Sequence, residues 1–404
     1  MADTPLTSLD NALEQLLAQV RALDGTESVD LNGALGRVLA EDYRVPADVP
    51  PADNSSVDGY ALRAADLGAG KPLAISNRIP AGSAPTALKP GTAARLFTGS
   101  EIPSGADAVV MQEDTELRDG DLVVKRPVEE GQNIRRQGQD LTRGNLALPA
   151  GTRIRPQEIG LLASLGIATV TVKPRPKVAV FSTGDELVDP GYPLAPGQIY
   201  NTNRYVLAGL LAEAGCELVQ SATLKDNRHA TRQALEGAAQ AADLIITSGG
   251  VSVGEEDHVR AVMEEQGSLA LWRLAIKPGK PLAFGMLGDT PMLGLPGNPG
   301  SVLVTFLTVG MPLIRQLQGR SDIRVTGDRL PASFRIDKTS VRREFLRARR
   351  EQDGDTASVA AYHNQSSGVL SSACWADGLA IVPENTTIEP GDPVTYYSFK
   401  ELLS

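Results

Sequence analysis

The sequence predicts a multi-domain protein of the α/β plus β class. Three observations carry this expectation. Between residues 177 and 317 short apolar runs alternate with helical patterns, as in a mostly parallel, doubly wound sheet covered on both faces. The stretches at 57–140 and 329–398 break instead into short runs separated by Gly- and Pro-rich turns, as in small β-rich domains. The chain has 404 residues, room for two to four domains at about 150 residues each.

Leu9, Leu13, Leu16, Leu17 and Val20 recur at helical spacing behind Thr7 or Ser8 as the cap. Leu31, Leu35, Val38 and Leu39 predict a second helix, stopped by the proline cluster VPADVPPAD at 45–53. From about 57 to 140, LAIS, AARLF, ADAVVMQE and LVVKRPV are separated by PAG, KPG, PSG and DG turns. Helical text resumes at PQEIGLLASLG, so 46–140 reads as a β-rich insertion into a discontinuous first domain, 1–45 and 141–173.

After the stiff linker KPRPK (173–177) the third domain, 174–323, takes a βαβ pattern. Strands are expected at Lys177–Phe181, 216–223, Asp243–Thr247, 269–276, 281–287 and 291–295. Helices are expected at Asn203–Ala214, about 228–242, 257–266 and 300–317. The turn-rich GRSDIRVTGD (319–328) marks the last boundary. Beyond it ASFRI, EFLRARR, ASVAAY, GLAIVPE and PVTYYSF predict a small β-barrel or sandwich at 324–404.

Composition removes several function classes. Cys216 and Cys374 lie too far apart in sequence for a CxxC site, and no two of the three histidines stand at i, i+4. The apolar stretch Val302–Ile314 is too short to span a bilayer, and the acidic start MADTPLTSLD has no signal-peptide core. A net charge of −10 disfavours nucleic acid as a partner. The expectation is a cytoplasmic protein with no membrane partner, whose chemistry rests on carboxylates, Lys, Arg, hydroxyls and backbone amides.

Six segments are placed to carry that chemistry. In VAVFSTGDEL (178–187) a strand runs into Thr183, Gly184, Asp185 and Glu186, where ligands bind in open α/β sheets. The two acids suit Mg²⁺, although read alone they are equally solvated loop acids. In LIITSGGVSVGEEDHV (244–259), Ser248, Gly249, Gly250, Ser252 and Gly254 offer amides and hydroxyls to a phosphate, and Asp257 opens a helix. Neither a Walker loop nor GxGxxG is present. In IKPGKP, Lys277 and Lys280 bracket a tight Pro-Gly turn, and their mutual repulsion favours an oxyanion. In LGLPGNPGS, Pro296, Gly297, Asn298 and Pro299 lead into a helix whose amides suit an anion. Asp58 (NSSVDGYA), Thr98 (FTGSEIPSG) and Asp140 (RRQGQD, with Arg135 and Arg136 near it) sit in turns. Residues 335–350 hold seven basic and two acidic residues, a local excess worth reading as an anion site beside NQSSG.

NSSVDGYA, FTGSEIPSGADAVVMQED, STGDEL, TSGGVSVGEEDH, IKPGKP and LPGNPGS stand in the order found in the molybdopterin molybdenumtransferases, the bacterial MoeA-type proteins related to the gephyrin E domain and the plant Cnx-type protein. The chain resembles that family over essentially its whole length. The resemblance implies insertion of molybdate into adenylylated molybdopterin with Mg²⁺-dependent release of AMP. It implies an elongated four-domain homodimer, a third domain similar to the MogA-type adenylyltransferase fold and a C-terminal β-barrel-like domain; a MogA-type adenylyltransferase is a candidate partner, and the sequence does not say which protein delivers the substrate.

Carried over by motif, Asp58, Thr98 and Asp140 match positions associated with activity, and Glu186, Asp226 (LKDNRHA) and Asp257 match the acidic pocket. Lys277, Lys280 and Pro281 match the molybdate site, with Arg342 or Arg343 and Ser366 or Ser367. Arg273 stands where the family often has Lys. Asp185, Glu186 and Asp257 are the expected Mg²⁺ ligands. A MogA-like adenylyltransferase, a gephyrin-like scaffold and a tungstate-handling paralogue are the other readings of the same motifs.

Overall fold

The computed structural model describes residues 6–68, 71–225, 227–250, 258–354 and 356–404. The chain divides into two compact units, one of residues 1–40, 150–154 and 171–404 and one of 41–149 and 155–170.

The larger unit is built on a seven-stranded sheet. Its elements in chain order are β1 (Leu6–Thr7), α1 (Leu9–Leu17), β2 (Lys177–Thr183), α2 (Thr202–Glu213), β3 (Glu217–Leu224), α3 (Arg228–Ala241), β4 (Leu244–Ser248), α4 (His258–Gln266) and β5 (Ser268–Leu274). The two-residue β6 (Ile276–Lys277), β7 (Pro281–Leu287) and β8 (Thr290–Leu295) follow. Strand order is β1-β5-β7-β8-β4-β2-β3. The run β8-β4-β2-β3 is parallel, and β7 is antiparallel to both neighbours.

The period of two sorts β2 cleanly. Val178 and Val180 face one layer with α1, α2 and the 299–317 helix, while Ala179 and Phe181 face the other with α3 and α4. Ser8 caps α1 by accepting the Asn11 N–H, in line with the expected cap. The helix of residues 299–317 is apolar all round and 89% buried, as a core helix is. Its turn at Phe306–Gly310 is π-helical, because Pro312 has no N–H for the Thr308 carbonyl.

Beyond this helix lie β9 (Asp328–Pro331), β10 (Arg343–Asp353), β11 (Thr356–Ala361), β12 (Gly378–Val382) and β13 (Pro393–Ser398). They form an open sheet in the order β6-β10-β12-β13-β9, with β11 on β10. This corrects the barrel expectation: no closed barrel is found among the described residues, and the β9 edge reaches β11 only through the isolated Ala332–Val359 bridge and the Ser333 N–H on the Val359 carbonyl. ASFRI supplies only bridges at Ala332 and Ile336. The sixth strand comes from elsewhere. The expected strand 269–276 stops at Leu274, and Ile276–Lys277 leaves to pair in parallel with Arg343–Glu344.

The helix expected over Leu31–Leu39 does not form. The Asp30 carboxylate accepts the Gly33 N–H at 2.7 Å, Gly36 takes φ 74°, and Val38 and Leu39 bridge to Arg153 and Val172. Asx-turn and glycine chemistry outweigh the leucine spacing there, and Leu35 stays exposed.

The second unit carries a four-stranded sheet in the spatial order Ala74–Ile79, Thr92–Leu96, Gly59–Leu62 and Ala108–Met111. Beside it, the hairpin of Thr115–Arg118 and Asp121–Val124 turns at Asp119 and Gly120, both at positive φ.

Candidate active site

Because β8, β4 and β2 are adjacent and parallel, their carboxyl ends line up and their three loops become neighbours. Gly249 and Gly250 turn away from β4 at φ 83° and 67°, and a Cβ on either would press on Thr183 Oγ1, at 2.8 and 3.0 Å. Both glycines hold a left-handed backbone that L side chains rarely adopt. The Gly249 N–H donates to the Leu295 carbonyl, and Asn203 Nδ2 donates to both Ser248 Oγ (2.8 Å) and the Gly297 carbonyl (2.7 Å). Asn203 is buried, and its Oδ1 has no partner among the described residues. Asn201 caps α2, accepts from Ser182 Oγ and donates to Thr223 Oγ1. Sequence reasoning missed both asparagines. Their signal was a polar Asn-Thr-Asn run opening a helix whose other buried positions are leucines.

The lysine turn joins the same cluster. The Leu274 N–H donates to the Lys280 carbonyl at 2.7 Å, closing the turn, and Gly279 takes φ 104° against Thr305, where a Cβ would lie 2.5 Å from Oγ1. Lys277 Nζ pairs with Glu344 Oε1 at 3.0 Å. Among the described residues no acid pairs with Lys280. Arg273 stands opposite Pro281 across β5 and β7.

The two arginines singled out in VRREF are placed differently. Arg342 Nη1 approaches the Ile276 carbonyl at 3.5 Å, whereas Arg343 is engaged by Asp10 (3.1 Å) and Glu384 (3.3 Å). A third arginine, not singled out, points at NQSSG. Arg347 is fully buried, donates Nε to Ser372 Oγ (2.9 Å) and Nη2 to the Ser366 carbonyl (3.0 Å), and among the described residues leaves Nη1 without a partner. No acid pairs with it among the described residues, and burial holds its guanidinium below the usual arginine range. Two-residue periodicity from Arg343 through Phe345 was the available signal. The loop it holds reaches the phosphate-type loop directly: the Gly300 N–H, just inside the helix that follows Pro299, donates to the Ser367 carbonyl at 2.8 Å.

Of the acids, Glu186 folds its carboxylate over Gly184, and Asp185 is exposed beside it. Asp226, Ser252, Gly254 and Asp257 lie outside the described residues. Pro296 is buried and Gly297 and Asn298 are exposed at the end of β8.

In the second unit, Asp58 Oδ1 accepts from both the Thr98 N–H (2.7 Å) and Thr98 Oγ1 (2.8 Å). These two bonds, the backbone one first, hold its carboxyl below the usual range. Asp140 is exposed, and its N–H donates to the Val49 carbonyl. Arg136 pairs with Asp53 at 2.7 Å, so the charge partner of that turn is Asp53.

Glycine loops at parallel strand ends, a lysine turn and a buried arginine behind a serine loop define an anion-handling α/β centre within a multi-domain chain. Residues 7–166 match the family described as the MoeA N-terminal region (domain I and II), 179–316 the probable molybdopterin binding domain, and 329–399 the MoeA C-terminal region (domain IV). The molybdopterin molybdenumtransferase of Haemophilus influenzae is 45% identical over 78% of this chain and 78% of its own. That of a Nostoc species is 40% identical over 78% of this chain and 76% of its own. A crystal structure of a molybdopterin biosynthesis MoeA protein from Pyrococcus horikoshii, 34% identical, covers 98% of this chain and all of its own with a TM-score of 0.78. The chain belongs to the molybdopterin molybdenumtransferase family. It has the MoeA-type multi-domain fold and is a transferase of molybdenum cofactor biosynthesis.

Proposed function

We propose that this transferase inserts molybdate into adenylylated molybdopterin with Mg²⁺-dependent release of AMP. The observation that carries the reading is the convergence, inside one unit, of the lysine turn, the arginine strand and the serine loop on the helix that the Gly297–Pro299 loop opens. Molybdate is a tetrahedral dianion. Lys277, Lys280 and Arg342 offer it charge and donors beside Pro281, and Ser366 and Ser367 offer hydroxyls from the loop that meets Gly300. Arg347 replaces Arg343 in this reading, because Arg343 is already neutralised by two acids. Its place is behind the serine loop, where it fixes the loop through the Ser366 carbonyl.

The amides and hydroxyls of 183–184, 248–250 and 296–299 suit the phosphates of the nucleotide. Among the described residues no three side chains gather as a metal cage. Asp185 and Glu186 at a strand end nonetheless fit the way Mg²⁺ binds, through one or two carboxylates, retained waters and substrate phosphate. When bound, the ion offsets charge on the departing phosphate. Asp58, Thr98 and Asp140 belong to the proposal as further functional positions, the Thr98 hydroxyl oriented by Asp58. The four-domain organisation with a MogA-like third domain, the homodimer, a MogA-type adenylyltransferase as partner and a cytoplasmic location are parts of the same reading.

The test is AMP release from adenylylated molybdopterin by the purified chain with Mg²⁺ and molybdate. Lys277→Ala is expected to cut the rate by well over tenfold. Wild-type-like turnover in that variant removes the assignment of the lysine turn.

A further inference from the structure

One cationic surface lies outside the site above, in the second unit. Arg78 and Arg95 are directly opposed on the parallel strands Ala74–Ile79 and Thr92–Leu96. Arg95 is opposed in turn to Tyr60 on Gly59–Leu62. The three side chains form one row across the sheet. Tyr60, Ala93 and Val110 on this face belong to a buried apolar layer, so the row lies where that layer meets solvent. Phe97 follows in the same strand direction. The Arg78 guanidinium stands 4.8 Å from the Phe97 ring centre, and that of Arg95 stands 5.0 Å from both Phe97 and Tyr60.

Like charges directly opposed on neighbouring strands are destabilising. Among the described residues neither arginine has a carboxylate partner. Arg95 donates to the Gly59 carbonyl (3.3 Å) and to Gln112 Oε1 (2.6 Å), and the Arg78 side chain makes no hydrogen bond among the described residues. Asp58 attracts Arg95 through its charge from beyond ion-pair distance, its Oδ1 accepting from both Thr98 donors, and offsets part of one guanidinium charge. An edge strand often carries a lone cation to discourage pairing. That accounts for Arg78, on the edge, and does not apply to Arg95, on the adjacent interior strand. The aromatic rings offset part of the repulsion and fix the two forks in place.

We propose that Arg78, Arg95 and Phe97 form a binding site for the phosphate group of a nucleotide-bearing ligand, with the Asp58–Thr98 pair at its border. Guanidinium forks match phosphate oxygens, and a phosphate shared by two of them relieves their mutual repulsion. The proposal rests on the reading that the substrate carries an adenylate.

Hydrogen–deuterium exchange of the full chain tests it, with AMP, adenosine and inorganic phosphate as probes. AMP is expected to protect residues 74–98, inorganic phosphate to compete, and adenosine to leave the segment unprotected. Arg78→Gln, at an exposed side chain without hydrogen bonds among the described residues, is expected to raise the AMP concentration for half-protection of 74–98 at least fivefold. Protection at the strand-end loop around 248–250 should persist in that variant. Arg95→Gln is expected to behave alike, with circular dichroism showing an intact fold. Absence of AMP protection at 74–98 in the wild type, equal protection by adenosine, or an unchanged Arg78→Gln response overturns the proposal. AMP release in the transferase assay is scored separately, so a chain that turns over without protection at 74–98 sinks this site alone.

Discussion

Replacing Arg347 by Met is expected to separate function from stability. The side chain is fully buried, spends two hydrogen bonds on neutral acceptors, leaves one donor unused and has no acid partner among the described residues. Removing it forfeits two bonds from a charged donor, about 1.5–3 kcal/mol each. It also removes a buried, uncompensated charge whose solvation penalty is several kcal/mol. The terms oppose one another, so Arg347→Met should stay within about 2 kcal/mol of the parent, a shift of a few degrees in a thermal scan. The Ser366–Ser367 loop loses its anchor, so AMP release should fall more than tenfold, with a raised molybdate requirement. Arg347→Lys should recover little, because one ammonium cannot serve both Ser372 Oγ and the Ser366 carbonyl. The measurements are thermal unfolding and the dependence of AMP release on molybdate. Destabilisation beyond about 4 kcal/mol, the range expected for breaking a buried pair, would make Arg347 a structural pillar and refute the reasoning. So would an unchanged molybdate requirement.

Two further outcomes follow from single contacts. Gly300→Ala places a methyl 2.8 Å from the Ser367 carbonyl, so the serine loop must move and AMP release should drop while circular dichroism is preserved. An alanine with full activity would show that this loop contact is dispensable. The Asp58 carboxyl is held low by Thr98, so its contribution is present above the unfolded-state value, about 3.9, and is lost as pH falls through the lower folded value. Asp58→Asn should therefore make unfolding less sensitive to acid below about pH 4. Parallel pH profiles for the two proteins would contradict this.

The β/α rhythm of the larger unit was legible because both faces of its sheet are buried, which writes near-continuous apolar runs into β2, β4 and β8. The glycine loops were legible for a similar reason, since Gly249 and Gly279 occupy conformations and clearances that other residues resist. The 31–39 segment misled because leucine spacing there coincides with Asp30 and Gly36 turn chemistry. The sequence could not separate Arg343 from Arg347, because they share a face of one strand and only tertiary contacts distinguish them, two acids beside Arg343 and full burial at Arg347. Asn203 escaped because a buried asparagine is recognised by the two acceptors it bridges, Ser248 and Gly297, which stand far from it in sequence.

By itself, the sequence determined the succession of strands, loops and helices, the positions where only glycine fits, and the inventory of cations and carboxylates. Those are local properties, set by side-chain periodicity and backbone sterics. Which loops meet was decided only by tertiary structure. Strand order set β8, β4 and β2 side by side, and Ile276–Lys277 left one sheet to join another against Arg343–Glu344. Strand pairing is a non-local choice, made by burying two faces of a sheet at once, and no window of sequence contains it.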